Sequence, residues 1–257
     1  MTGVTIEWDG AVATIVLPGP ALNRAVKQDL RELTRTLAED ENARAVVLAG
    51  TGRHFCVGQD LAEHAAGLAG DPATSMNTVD ADYNPIVTAL ATMPKPVVAA
   101  VNGTCVGAGL GFVLACDMVV MATGAVLGTA FTGIGLTCDS GMSLTLARTF
   151  GLSRARALLL QPRTFTAEEA AAWGLAASLA PAGEVRQAAA DLAAALAAGP
   201  TVAYAETKRL LWDAPSRSLA EVLGAESAAQ QRLSLTADHA GAVRAFLAKE
   251  KPAFQGA

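Results

Sequence analysis

Residues 95–117 read KPVVAAVNGTCVGAGLGFVLACD, and the interior of this stretch, from Pro96 to Cys116, contains no charged side chain. An uncharged run of about 20 residues has the length of a membrane-spanning helix. However, Asn102 and four glycines interrupt the run, and glycine weakens a helix. The β-branched residues before the glycines and the apolar residues after them predict a buried strand, a glycine-rich turn and a buried helix. We therefore expect no membrane contact.

The composition is that of a folded, mildly acidic protein. Of the 257 residues, 52% are hydrophobic and 17% are charged, and the net charge is −5. Disordered chains have a lower apolar content and a higher charge, so this chain is expected to fold. Phosphate recognition requires a basic surface, so a nucleic acid is not an expected partner.

The N-terminus and the cysteines bear on localisation. The first ten residues, MTGVTIEWDG, lack the basic segment and apolar run of a secretory signal. No C-x-x-C pair occurs among the four cysteines, which are Cys56, Cys105, Cys116 and Cys138. This pattern is typical of free thiols in a reducing compartment and indicates neither a disulfide framework nor a metal site. We expect a cytoplasmic protein.

The first half of the chain predicts a largely parallel sheet. Asp9-Gly10 is a strong hairpin-turn signal, and residues 25–39 carry apolar side chains at helical spacing before a short strand at 44–50. A helix followed directly by a buried strand favours βα crossovers. Residues 63–80 have poor periodicity and two turn signals, which predict a mobile surface loop.

The second half predicts mostly helices. A helix is expected to begin at Asp139 and to end near Phe150, where Gly151 follows. From about residue 182 the pattern is helical almost throughout, with breaks at Gly199-Pro200 and Ala214-Pro215. The predicted helices of this region are 183–198, 201–213, 218–235 and 238–250.

Two glycine-containing turns each follow a predicted strand, at 50–61 (GTGRHFCVGQDL) and 102–111 (NGTCVGAGLG). Glycines allow backbone N–H groups to approach a ligand, and two N–H groups that converge on one oxygen form an oxyanion hole. The alternative is that both are only tight strand-to-helix turns. A dinucleotide fingerprint starting at Gly107 is not favoured, because Phe112 replaces its last glycine and the acidic residue expected about 20 positions later is missing.

Five segments resemble the enoyl-CoA hydratase/isomerase, or crotonase, superfamily in the same order and at the spacing of that family. They are FCVGQDL (55–61), KPVVAAVNG (95–103), VGAGLGFVLACD (106–117), IGLTCDSGMSLTLARTFG (134–151) and TFTAEEAAAWGLA (164–176). The resemblance implies an α/β fold, a crotonase-like spiral of ββα units (residues 1–198) with a C-terminal α-helical trimerisation region (199–257). It also implies a homotrimer or homohexamer that acts on an acyl-CoA substrate. Coenzyme A would enter as part of the thioester, with no permanently bound cofactor and no metal.

The resemblance also assigns roles in the two turns. The backbone N–H groups of Gln59 and Ala108 would hold the thioester oxygen. The neighbouring residues Asp60, Leu61 and Gly107 would contact the substrate.

Departures from the family pattern point away from simple hydration. The two glutamates that hydratases of this family use to activate water are replaced by Gly111 and Phe131, which we expect only to line the substrate site. One carboxylate remains at a position that is catalytic in some family isomerases and in aryl-CoA dehalogenases, Asp139. The resemblance favours an isomerase that uses Asp139 as general acid/base. The alternative reading of Asp139 is an ordinary helix N-cap.

Two other functions remain open. In a dehalogenase or hydrolase Asp139 would be the nucleophile, but the assisting histidine of that family is replaced by Thr88. A homologue that binds CoA esters without catalysis is the third reading. His54, His64 and Glu63 lie near the first turn and are weaker candidates for the site, and His239 is read as a surface residue.

The negative charges of CoA require local cations in a protein of net negative charge. By resemblance to the family, the candidates for these contacts are Arg24, Lys27, Lys249 and Lys251, with Phe246 and Phe254 covering the adenine. The alternative is an ordinary solvated basic face. Phe131, Phe112, Met142 and the segment 63–80 are candidates for shaping the acyl pocket.

Overall fold

The computed structural model describes residues 3–257. In chain order its strands are β1 (Thr5–Asp9), β2 (Val12–Leu17), β3 (Ala21–Leu22), β4 (Ala45–Gly50), β5 (His54–Cys56), β6 (Gly58–Gln59), β7 (Val97–Val101), β8 (Thr104–Val106), β9 (Met118–Ala122), β10 (Val126–Gly128), β11 (Thr164–Thr166) and β12 (Ser178–Ala180).

The α-helices are α1 (Arg24–Glu39), α2 (Leu61–Gly70), α3 (Asn84–Thr92), α4 (Ala108–Ala115), α5 (Met142–Phe150), α6 (Leu152–Leu160), α7 (Ala167–Ala172), α8 (Val185–Ala197), α9 (Thr201–Asp213), α10 (Leu219–Leu233) and α11 (Ala237–Ala248). A π-helical turn, Val79–Tyr83, leads into α3, and short 3₁₀ turns lie at Phe131–Ile134 and Ala214–Ser216.

The predicted parallel sheet is present. Six strands are ordered β1-β2-β4-β7-β9-β12, and every neighbouring pair is parallel except the β1–β2 hairpin, which turns at Asp9-Gly10 as expected. The other strands form a second sheet, β11-β10-β8-β5, and a short pair, β3-β6. Along the chain, β5, β8 and β10 directly follow β4, β7 and β9 of the first sheet. This repeated strand-strand-helix pattern is the α/β crotonase spiral that the resemblance implied.

The uncharged stretch that opened the sequence forms the centre of the molecule. All five residues of β7 and all eight residues of α4 are buried, and the short strand β8 lies between them in the chain. Within residues 3–257 no single helix is long and apolar enough to cross a membrane. Together α8 and the helical segment Thr201–Ser216 pass the length and composition criteria, but the pair is bent by 107°.

The prediction of a mobile loop at 63–80 is wrong for its first part. Residues 61–70 form α2, whose N-terminus is capped by Asp60, since its carboxylate accepts from the N–H groups of Ala62 and Glu63. Such a cap satisfies donors that a helix start leaves without partners. Turns and the π-helical turn at Val79–Tyr83 occupy the rest of the segment.

The C-terminal helices agree with the predicted segments within about two residues. Helix α8 packs on the sheet, whereas α9, α10 and α11 bury only Ala229 and Asp238 completely. The segment after α11 folds back: the Asp238 carboxylate accepts from the N–H groups of Gln255 and Gly256, and Arg44 donates to the Phe254 carbonyl. Arg44 precedes β4, so this tail lies at the amino-terminal end of that strand.

Candidate active site

A cavity of about 480 Å³ lies where the two glycine turns meet. Most of its wall is apolar. It is lined by Ala21, Val57, Gly58, Gln59, Asp60, Leu61, His64, Met76, Tyr83, Val106, Gly107, Ala108, Thr129, Ala130, Phe131, Ile134, Leu136 and Asp139. The structure thus brings together the predicted residues of both turns, Phe131 and Asp139. We call this space the main cavity.

Ala108, at the start of α4, lines the main cavity. Gly107 precedes the helix with φ +59° and ψ −131°, a backbone conformation that side chains with a Cβ rarely adopt. Ala108 is the first residue of α4, so its N–H group has no acceptor within the helix. The two turns touch, because a Cβ placed on Gly58 would lie 3.3 Å from the Ala108 nitrogen. Gln59, the next residue of the first turn, is therefore close to this helix end.

Asp139 does not cap α5. That helix begins at Met142 and its N-cap position is Gly141, so the prediction of a helix starting at Asp139 is wrong by three residues. The carboxylate of Asp139 instead lines the main cavity and accepts from the Ser140 hydroxyl at 2.8 Å. Burial raises the pKa of Asp139, and the Ser140 hydrogen bond lowers it by a smaller amount. A carboxylate with a raised pKa is a stronger base than an exposed one.

Gly111 does not line the main cavity, which corrects its assignment as a substrate contact. It is buried inside α4, and the space beside it is filled by Ser140. A Cβ on Gly111 would overlap the Ser140 Cβ and would lie 3.2 Å from the Ser140 carbonyl oxygen. Ser140 itself is buried and has φ +54°. The space beside Gly111, the position that the resemblance gives to a glutamate, is therefore occupied by the turn that holds Asp139.

The side chain of Gln59 is fixed by a buried hydrogen-bond network. Its Oε1 accepts from the Lys27 ammonium at 3.1 Å and from the Tyr83 hydroxyl. Lys27, only 2% exposed, also pairs with Glu63 at 3.0 Å. Lys27 is therefore not free to bind CoA phosphates, and Glu63 is not free to act as a base, which corrects both expectations. Burial, followed by the charge of Asp139, raises the pKa of Tyr83, so its phenol stays neutral.

The network was missed from the sequence, although one signal was present. The buried face of α1 carries Lys27, Leu30, Thr34 and Leu37, which are spaced as one helical stripe. A lysine on the apolar stripe of an amphipathic helix needs a buried partner. Nothing comparable in the sequence singled out Tyr83, because its role depends on how α3 packs against the first turn.

The three histidines and Thr88 differ in whether they line the main cavity. His64 lies on α2 and lines the main cavity, whereas His54 and His239 are exposed and do not. Thr88 is exposed on the outer face of α3 and lies outside the cavity. The α3 side chain next to the Asp139 turn is Val87, whose Cγ1 would be 3.6 Å from a Cβ on Gly141. Within residues 3–257, α3 therefore brings no basic side chain to this turn.

The predicted CoA contacts lie outside the main cavity. Arg24 is exposed at the start of α1, and its backbone N–H donates to Glu63 at 2.6 Å. Lys249, Lys251 and Phe246 are exposed at the end of α11 and beyond it, and none of them lines the main cavity. Of the predicted pocket aromatics, Phe112 is fully buried behind the wall, where its ring lies 6.1 Å from that of Tyr83.

All four cysteines are free in the structure. Burial raises the pKa of the Cys56 thiol to about 12, so this thiol next to the first turn is not a nucleophile at neutral pH. In the described part of the chain no three His, Cys, Asp or Glu side chains form a group that could hold a metal ion.

Comparisons with known proteins identify the family of this chain. A profile of the enoyl-CoA hydratase/isomerase family matches residues 7–257. A protein of Rhodobacter capsulatus described as a probable enoyl-CoA hydratase is 38% identical over 256 residues, 98% of each chain. The 1,2-epoxyphenylacetyl-CoA isomerase of Escherichia coli is 34% identical over 249 residues, 95% of each chain.

A solved structure is similar over the whole chain. It belongs to a Mycobacterium abscessus protein assigned to the enoyl-CoA hydratases/isomerases, with a TM-score of 0.96, 45% identity, and coverage of 99% of this chain and 100% of the other. The fold and the site define an acyl-CoA enzyme of the crotonase superfamily. The chain belongs to the enoyl-CoA hydratase/isomerase family.

Proposed function

We propose that this protein is an enoyl-CoA isomerase in which Asp139 moves a proton between two carbons of an unsaturated acyl group. One observation carries the proposal. Asp60 and Asp139 are the two carboxylates that line the main cavity in residues 3–257, and Asp60 is committed to capping α2. Asp139 is thus the carboxylate left for chemistry.

The proposed reaction uses three groups that belong to residues lining the main cavity. The thioester oxygen accepts hydrogen bonds from the N–H groups of Gln59 and Ala108. The Asp139 carboxylate removes a proton from carbon, and the electron pair of the broken C–H bond moves toward the thioester oxygen, which gives an enolate. Loss of one oxyanion-hole donor typically costs about 3–4 kcal/mol of transition-state stabilisation. The same carboxyl group then returns its proton at the other end of the conjugated system, so one acid/base suffices.

The other reactions of the family lack a required group. Hydration by the paired-carboxylate route needs two glutamates, and Ser140 fills the space beside Gly111 while Phe131 stands at the second position. Hydrolysis of an ester on Asp139 needs a base to activate water. On α3, which would carry the assisting histidine, Thr88 is outside the cavity and Val87 is aliphatic, and the histidine that does line the cavity, His64, comes from α2. Pure CoA-ester binding remains as the second candidate, since it requires only the cavity and its N–H groups.

The test is exchange of substrate protons with solvent. A panel of 2-enoyl- and 3-enoyl-CoA thioesters is incubated with the protein in deuterium oxide and followed by mass spectrometry. We expect deuterium at the α and γ carbons, together with a shift of the double bond. Tight binding of the thioesters with neither deuterium incorporation nor a shift of the double bond would replace the isomerase by the binding-only function.

We also propose that the protein is a homotrimer, or a pair of trimers, assembled through the C-terminal helices. The support is the number of large apolar side chains that are exposed in the single chain from α9 to α11. They include Leu211, Leu219, Leu223, Leu235, Val243, Phe246 and Leu247. Large exposed apolar patches mark interfaces. Native mass spectrometry is expected to give three or six times the 26.1 kDa chain mass, and a monomer at micromolar concentration would contradict the proposal.

A further inference from the structure

Few sheet hydrogen bonds hold the backbone of the first glycine turn at Gln59. Strand β6, which consists of Gly58 and Gln59, is two residues long and belongs to a two-stranded sheet. Gly58 has φ +82°, and glycine changes its backbone conformation at little steric cost. Rotation of the peptide unit between Gly58 and Gln59 would change where the Gln59 N–H group points. This N–H group therefore needs an anchor outside the short strand.

The side chain of Gln59 provides such an anchor. Its Oε1 accepts from the Lys27 ammonium at 3.1 Å and from the Tyr83 hydroxyl. An ammonium can only donate, so Oε1 rather than Nε2 faces Lys27 and the amide group has one orientation. Lys27 and Tyr83 are each only 2% exposed. Hydrogen bonds that are shielded from water in this way are stronger than exposed ones.

The two donors are themselves fixed by other elements of the fold. Lys27, on α1, also pairs with Glu63 of α2 at 3.0 Å, and the Glu63 carboxylate accepts from the Arg24 N–H at 2.6 Å. Tyr83 is the last residue of the π-helical turn before α3. Two helices and this turn thus converge, through side chains, on one residue of the first glycine turn.

A contribution to stability alone would not require this arrangement. Removing an ammonium group from water costs free energy, and apolar side chains of similar volume usually stabilise a core at least as well as a buried ion pair. A buried polar network with satisfied hydrogen bonds has a different property, since it makes the local geometry rigid and unique. Here the geometry that is made rigid is that of Gln59, which lines the main cavity.

We propose that Lys27 and Tyr83 are positioning residues for the reaction: by holding the Gln59 side chain, they hold the Gln59 N–H group at the thioester oxygen. The proposal rests on the proposed function, which assigns this N–H group to the thioester oxygen. Such a donor stabilises the transition state only when it lies at hydrogen-bond distance from the place where the negative charge develops. Loss of the anchor should therefore weaken one of the two donors without removing it.

The carbonyl stretch of a bound thioester tests the proposal without any shift of a double bond. Butanoyl-CoA, isotope-labelled at the thioester carbonyl, is bound to the protein and followed by infrared difference spectroscopy. Hydrogen bonds to the oxygen weaken the C=O bond, so we expect a shift to lower frequency with the wild type. Tyr83→Phe keeps the ring in the cavity wall and removes one donor to Gln59 Oε1. It should lose about half of this shift, while the Kd for butanoyl-CoA changes by less than about threefold.

Deuterium exchange into enoyl-CoA substrates gives a second readout. Tyr83→Phe is expected to lower kcat for exchange by about 10- to 100-fold with little change in KM, as for an interaction made mainly in the transition state. Lys27→Met, which removes the other donor to Gln59 Oε1, should act in the same direction. Tyr204→Phe is the matched control. It removes the hydroxyl of the chain's other tyrosine, which lies on α9 outside the main cavity, and should change neither readout.

The outcomes separate the positioning role from the proposed function. If Tyr83→Phe keeps both the carbonyl shift and kcat, or only raises KM, the proposal is overturned. A wild-type complex without a carbonyl shift would remove the assignment of the N–H donors and this proposal with it. A shift that Tyr83→Phe reduces, in a protein that gives no deuterium exchange, would remove the isomerase and leave the positioning role. Lys27→Met deprives Glu63 of its cation, so Tyr83→Phe decides alone where Lys27→Met fails to fold.

Discussion

Asp139→Asn is expected to slow solvent-deuterium exchange into enoyl-CoA substrates by about 100- to 10,000-fold, the usual contribution of a positioned general base. Asparagine has the shape of aspartate and can still accept from the Ser140 hydroxyl, which lies 2.8 Å from the Asp139 oxygen. It cannot take up a proton at neutral pH. The change therefore removes the proposed proton transfer and leaves the walls of the main cavity in place.

The stability of the same variant distinguishes a catalytic carboxylate from a structural one. Burial raises the pKa of Asp139, so the folded protein favours the protonated carboxyl group more than the unfolded chain does. The stability that this residue contributes is complete at pH below its unfolded pKa and is lost as the pH rises through the raised, folded pKa. At neutral pH the buried charge is a cost, and Asp139→Asn is expected to melt at the same temperature as the wild type or higher.

The pH dependence of deuterium exchange by the wild-type protein tests the same assignment of the base. Only the ionised carboxylate accepts a proton, so exchange should fall as the pH drops through the raised pKa of Asp139, above the range of an exposed aspartate. Asp80→Asn, which changes an exposed carboxylate outside the main cavity, should leave rate and profile unchanged. Deuterium exchange by Asp139→Asn at the wild-type rate would refute the assignment of the base. A large fall in its melting temperature would show that Asp139 mainly stabilises the fold.

Local patterns were sufficient for the framework that positions the site. The uncharged stretch predicted β7, the glycine turn and α4, because continuous burial leaves no room for charge. The two turns were recognised from glycines at strand ends, and the structure places Gln59 and Ala108 at one cavity. These features depend on residues close together in the chain.

What the sequence did not yield depends on contacts between distant segments. Lys27, Gln59 and Tyr83 come from three different elements, and their network exists only after α1 and the π-helical turn before α3 have packed around the first turn. Residues 61–70 looked irregular because of their glycines, but the Asp60 cap stabilises a helix there. The resemblance put Gly111 at the position of a family glutamate, and only the structure shows that Ser140 fills the space beside it.

The close packing of Gly111 against Ser140 leads to the second prediction with a large expected effect. Gly111→Ala should lower the free energy of unfolding by about 1–3 kcal/mol, the usual cost of overpacking a buried site. The added Cβ would overlap the Ser140 Cβ, and the Ser140 carbonyl oxygen 3.2 Å away leaves little room to move. Gly67→Ala, in α2, is the matched control, since its Cβ would meet only Ser75 at an ordinary 3.7 Å. Urea unfolding of both variants measures the difference.

Ser140→Gly should rescue Gly111→Ala. Glycine removes the Cβ that causes the overlap and adopts the φ of +54° at position 140 without strain. The double variant is therefore expected to recover most of the lost stability, which a double-mutant cycle reads as a coupling energy between the two positions. Additive effects would mean that the residues do not compete for one space. If they do compete, a side chain at position 111 and the Cβ of Ser140 cannot both keep the packing of this turn, which ties the space beside Gly111 to the loop that holds Asp139.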